Sequence, residues 1–118
     1  MACGAPSTLI DRPHRQRVWN GNLMELEARE ISGVGQLCLR VQAPGQPWQS
    51  LRCVTARHRT LATWDDTGRA WLYSGDVGIY WYEADTLGAW RESTWLDAAP
   101  PGQPPLPPDL AAEVLYLH

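Results

Sequence analysis

Three groups of residues in this chain have types that could do chemistry. The first is Cys53 with His58, where an imidazole could take a thiol proton and leave a nucleophilic thiolate. Their spacing of five places them on opposite faces of an extended strand, which argues against a dyad. His14 stands in a polar, basic lead and His118 is the last residue. The second group is the paired carboxylates, Asp65 with Asp66 and Glu83 with Asp85. Glycoside hydrolysis needs two acids held apart across a cleft. Asp65 and Asp66 instead precede Thr67-Gly68, where Asp stabilises a turn by bonding local backbone. The third group is Cys3, Cys38 and Cys53. Their long spacings lack a C-x-x-C pair, and no loop shows calcium spacing. The sequence therefore assigns no catalytic residue, no metal ligand and no cofactor, and the chain reads as a non-enzyme.

Charge narrows the partner. Residues 1–60 carry eight Arg against Asp11, Glu25, Glu27 and Glu30, while residues 61–118 carry Arg69 and Arg91 against nine acids. The halves either neutralise each other across one fold or leave an acidic surface that steers a basic partner. Arg52, Arg57 and Arg59 with His58 could meet phosphate, but the footprint is small. The aromatic residues lie in the acidic half, the reverse of what single-stranded nucleic acid requires. A basic protein partner is expected, and nucleic acid is disfavoured.

All ten basic residues are Arg, and the chain has neither Lys nor Phe. A GC-rich, bacterial gene explains that bias. No apolar run approaches the ~20 residues of a membrane span. Residues 1–17 show no signal-peptide core. The reading is cytoplasmic. The alternative is a periplasmic lipoprotein, with Cys3 carrying the lipid after processing of an upstream leader. Cys38 and Cys53 are expected to be reduced core thiols, since a disulfide would require an oxidising compartment.

The elements that must position these side chains centre on residues 61–90. Four of the seven Trp and three of the four Tyr fall there. Turn signals at Asp66-Thr67-Gly68, Ser74-Gly75-Asp76 with Gly78, and Thr86-Leu87-Gly88 cut it into short aromatic and β-branched runs. That pattern reads as an antiparallel meander over 61–64, 70–73, 79–83 and 90–95. Tyr80 and Tyr82 oppose Ile79, Trp81 and Glu83; Trp71 and Tyr73 oppose Ala70 and Leu72. Large rings therefore stand on both faces. Upstream, Asn20-Gly21 signals a hairpin, and residues 36–41 and 48–55 alternate as strands. Residues 23–31 carry both helical composition and strand alternation; the preceding Asn-Gly decides for strand. Six of the ten Pro fall in residues 98–108. Asp109, Leu110, Val114 and Leu117 then suit a helix with one apolar face.

Residues 61–90 resemble one blade of a WD-type β-propeller. The likeness rests on Thr63-Trp64, Asp66-Thr67-Gly68-Arg69, Ser74-Gly75-Asp76 with Gly78, and 79–83. Tyr82-Glu83 stands in place of the Trp-Asp pair, and the upstream Gly-His pair is not evident. The resemblance implies a four-stranded meander, and a chain of this length cannot close a propeller ring. At the level of class, the chain is also similar to small acidic bacterial immunity proteins that block one toxin by surface contact.

The expected architecture is mainly β: a single twisted antiparallel sheet or open barrel, with a short helix after a Pro-rich linker. The expected organisation is a flexible lead at 1–15, a β domain at 16–97, a linker at 98–108 and a docking helix at 109–118. The linker and helix can cover one aromatic face; the other is left to a partner protein. The expected contact residues are Trp64, Asp65, Asp66, Trp71, Tyr73, Asp76, Tyr80, Tyr82, Glu83, Asp85 and Trp90, since Trp and Tyr dominate binding hot spots. The expected function is non-enzymatic protein binding of the immunity or inhibitor kind. The rival is carbohydrate or small-ligand binding by the same rings. An unpaired edge strand also offers a route to a homodimer.

Overall fold

Asn20 and Gly21 adopt φ values of 47° and 84°, the pair of positive angles that a two-residue hairpin needs. They join β1 (Gln16–Trp19) to β2 (Asn22–Ile31). The run at 23–31 is therefore strand, as the Asn-Gly signal implies. Ser32-Gly33 repeats the device, with φ values of 53° and 80°, and leads into β3 (Val34–Gln42) and β4 (Gln49–Thr55). The remaining elements are β5 (Thr60–Trp64), β6 (Ala70–Ser74), β7 (Gly78–Ala84), β8 (Trp90–Thr94) and α1 (Pro108–Val114). This is a computed structural model, and it describes residues 9–114.

The strands form two four-stranded antiparallel sheets, β1-β2-β3-β4 and β5-β6-β7-β8. The mainly β expectation holds, but the single sheet or open barrel does not. At residues 56–59 the chain leaves one sheet and starts the other, so β5 pairs with β6 and not with β4. Burial explains the split. Met24, Leu26, Leu37, Leu39, Val41 and Val54 line one face of the first sheet and meet Ala62, Trp64, Ala70, Leu72 and Tyr82 of the second. Each large aliphatic side chain removed from water contributes about 1.5–3 kcal/mol, and one extended sheet would leave these two faces without each other. The second sheet is the central layer. Its opposite face carries Leu61, Trp71 and Ile79 against Leu9, Leu110 and Val114. The aromatic face assigned by sequence to a partner protein is thus covered by β1–β4, while α1 and the Pro-rich strap lie over the other.

Several contacts tie the layers. Arg52 of β4 grips Glu92 of β8 with two bonds of 2.8 and 2.9 Å. The Tyr82 hydroxyl donates to the same carboxylate at 2.7 Å, and the Arg52 guanidinium lies 4.2 Å over the Tyr80 ring. Arg59 reaches Glu113 of α1 at 2.9 Å. Both ion pairs join the basic half of the chain to the acidic half. Ile10 exchanges backbone bonds of 2.7 and 2.9 Å with Ala62 along the outer edge of β5. In the strap, the Gln103 amide donates to Leu96 O and accepts from Leu96 N, both at 2.8 Å.

Cys38 and Cys53 are register neighbours on β3 and β4 and form a disulfide. They are not the reduced core thiols expected from sequence. Leu37 and Leu39 point into the sandwich, so Cys38 points away from it, toward the face where Arg40 pairs with Glu25 and Glu27. Period-2 alternation puts two Cys on one face but does not reveal that they stand opposite each other. Among the described residues, no helix is long and apolar enough to cross a membrane. Cys3 and His118 lie outside the described residues.

Candidate functional site

In the second sheet the β5–β6 and β7–β8 turns share one end, and both are built by an Asp side chain. Asp65 Oδ1 accepts from Thr67 N and Arg69 N, each at 2.9 Å. Asp85 Oδ1 accepts from Leu87 N at 2.8 Å and Ala89 N at 2.9 Å. Each Asp also exchanges backbone bonds with residues three and four further on. The sequence reading of Asp as a turn former is correct for Asp65, which stands at the head of the turn. Its Oδ2 adds bonds from the Trp71 indole at 3.0 Å and Arg69 Nη1 at 3.2 Å. Burial opposes the charge on Asp65, but the Trp71, Arg69 and Thr67 donors outweigh it and hold the carboxyl below its ordinary value. Glu92 is likewise held low, chiefly by Arg52.

A folded value below the unfolded one adds stability at pH above the unfolded value, and that stability is lost as pH falls through the folded value. Native stability is therefore expected to decline as pH drops below about 4. Asp65→Asn should flatten part of that decline, as read by denaturant midpoints across pH 2–6, a range set by the ordinary carboxylate values. An unchanged slope would remove Asp65 as a contributor.

The same end holds a run of tryptophans. The rings of Trp19 and Trp64 are 6.5 Å apart, and those of Trp64 and Trp90 are 6.0 Å apart. The Trp64 indole donates to Arg17 O at 3.2 Å, which pins β1 to β5. Trp19 lies flat against the β5–β6 turn because Gly68 has no side chain: a Cβ there would fall 2.5 Å from the ring, and φ is 89°. Beside this run, residues 17–19, 64–66, 69 and 105–109 enclose an open groove of about 720 Å³.

The eleven expected contact residues divide. Trp64, Asp65, Asp66, Glu83, Asp85 and Trp90 gather at this end. Asp66, Glu83 and Asp85 are exposed, Asp65 and Trp90 are half-buried, and Trp64 is buried. Asp76 lies in the β6–β7 turn, at the far end of the sheet, within 3.9 Å of His58, and Tyr73 is at that end too. Trp71 and Tyr82 are buried on opposite faces of the sheet, and Tyr80 lies under Arg52. Trp64, Trp71 and Tyr82 are thus core side chains and offer almost no surface to a partner. Sequence alternation could not foretell this, because it shows that both faces carry rings but not that both are covered.

The structure adds Arg17, Val18, Trp19 and Leu87, none of which the sequence singled out. Val18 and Leu87 are 60% and 92% exposed. The Asn20-Gly21 signal next to Val18-Trp19 and the Thr86-Leu87-Gly88 turn signal hinted only that these side chains sit at an end of the fold. Cys53 is consumed by the disulfide, so it supplies no thiol to His58. Among the described residues, no three His, Cys, Asp or Glu side chains cluster as metal ligands would. The site is thus an aromatic, mixed-charge end of a two-sheet β fold. No protein-family model, curated protein or solved structure matches the chain.

Proposed function

We propose that this protein is a non-enzymatic protein-binding module of the immunity or inhibitor kind, working through the turn end of the second sheet. The observation that carries the reading is the company of Leu87. It projects almost fully exposed from the β7–β8 turn, with the exposed carboxylates of Asp66 and Asp85 on the two turns of that end and of Glu83 on the end of β7. Five carboxylates (Asp65, Asp66, Glu83, Asp85 and Asp109) stand there against the guanidinium groups of Arg17, Arg69 and Arg91. Such a surface steers a basic partner into contact, and Leu87 with the half-buried Trp90 supplies an apolar anchor. The Cys38–Cys53 bond favours an oxidising compartment over the cytoplasm.

The test is a paired capture experiment with extract of the source organism. Wild-type protein and a Glu83→Arg/Leu87→Asp variant, matched for thermal stability, are immobilised side by side. A protein retained by the wild type is expected to bind the variant at least tenfold more weakly, as for lost anchor and charge contacts. The wild-type association rate should fall as salt rises. A protein retained equally by both, or none retained by either, overturns the reading.

A further inference from the structure

The groove beside the tryptophan run has a composition of its own. One wall is residues 17–19 of β1, the second is the β5–β6 turn, and the third is the strap at 105–109. Its volume of about 720 Å³ lies in the range of small-ligand sites, about 300–1,000 Å³. Trp19 and Leu106 give it an apolar lining. Two charged groups in its lining are uncommitted. Nothing among the described residues bonds the Arg17 guanidinium; its Nε is shut off from solvent, and its two terminal nitrogens are the donors left for a ligand. The Asp66 carboxylate is exposed and equally without a bond among the described residues. The other charges are engaged: Asp65 with Arg69, and Asp109 with the Thr63 hydroxyl at 2.9 Å.

These features select the ligand chemistry. An anion would satisfy Arg17 but meet Asp66 and Asp109. A cation would satisfy Asp66 but meet Arg17. An extended peptide would look for a backbone ladder along the edge strand β1 and find it interrupted. The Arg17 carbonyl already accepts the Trp64 indole, and Pro105, Pro107 and Pro108 have no N–H to donate. A neutral polyhydroxylated ring fits all of these constraints. Each hydroxyl both donates and accepts, so one molecule can answer Arg17 and Asp66 together, while its C–H face lies on Trp19, which shares a strand face with Arg17. The geometry points to a site for a neutral saccharide in this groove, with Arg17 and Asp66 as its polar clamp and Trp19 as its stacking platform. This site is separate from Leu87 and Asp85.

The experiment is intrinsic tryptophan fluorescence of the intact, oxidised protein titrated with trimers of glucose, galactose and N-acetylglucosamine. A trimer of galacturonic acid and a tri-lysine peptide serve as charged controls. A saturable change is expected with at least one neutral trimer at or below about 10 mM. Arg17→Ala and Asp66→Asn should each weaken it by roughly tenfold or more, with unchanged melting temperature. Leu87→Asp should leave it intact. Absence of saturation with every neutral trimer, tighter binding of either charged control, or retention of full affinity in both clamp variants overturns the assignment.

Discussion

Replacing Trp71 with alanine is expected to destabilise the protein by about 3–5 kcal/mol, the usual loss for removing a buried aromatic side chain. Trp71 has no exposed surface. It stands at the centre of the second sheet on the face that packs under α1, stacked at 6.2 Å on Trp81. Leu61, Ile79, Leu110 and Val114 share its cluster, so truncation opens a cavity between two layers that a seven-residue helix cannot collapse to fill. The indole also donates to Asp65, so the same substitution removes a donor from the carboxylate that shapes the β5–β6 turn. Trp71→Phe separates the two contributions: it keeps a ring in place and loses the bond, and about 1–3 kcal/mol is expected from a hydrogen bond to a charged group. Guanidinium denaturation followed by far-UV circular dichroism measures both. Since small domains hold about 5–15 kcal/mol in all, the alanine variant should show a large midpoint shift. A loss under about 1 kcal/mol would mean that the α1 layer does not bear on Trp71 as described.

The helix that covers Trp71 was legible in the sequence, because Asp109, Leu110 and Val114 have helical spacing after a Pro-rich run. The strands and their turns were legible for a similar reason. Asn20-Gly21 and the Asp-x-x-Gly turns are local signals, set by the φ values that their residues tolerate. The division into two sheets was not legible. Residues 56–60, rich in Arg and His, read equally as an exposed edge or a turn, and consecutive strands joined by a short connection usually pair. Which edge β5 joins is decided by non-local burial of Ala62, Leu72 and Tyr82 against Leu26, Leu39 and Val54. Alternation of period 2 is the same in either arrangement. The groove was invisible for a related reason. Arg17, Asp66 and Leu106 come from three distant segments, and nothing in the spacing of any one of them announces the others. Of the aromatic residues singled out, the sequence found the right region but could not separate Trp90, which reaches solvent, from Trp71 and Tyr82, which do not.

The second large effect concerns the Cys38–Cys53 bond. Reduction is expected to lower stability by about 3 kcal/mol, the loop-entropy value for a closed segment of this size, given a sequence separation of 15. Cys38 is fully buried and Cys53 partly exposed, so the bond is open to a reductant from the Cys53 side. Its position adds a local consequence. It fastens β4 to β3 next to the register shift between Leu39 and Arg40. β4 in turn carries Arg52, which holds Glu92 and links the two sheets. Loosening β4 should therefore weaken the Arg52 clasp as well. Thiol titration in denaturant without reductant is expected to find Cys3 alone, and after reduction all three Cys. Guanidinium midpoints of wild type with and without reductant should differ. A Cys38→Ala/Cys53→Ala variant should show no such difference. Three thiols before reduction, or equal wild-type midpoints, would refute the bond. With the bond present, its reduction would cost this chain about a fifth to three-fifths of a stability of about 5–15 kcal/mol.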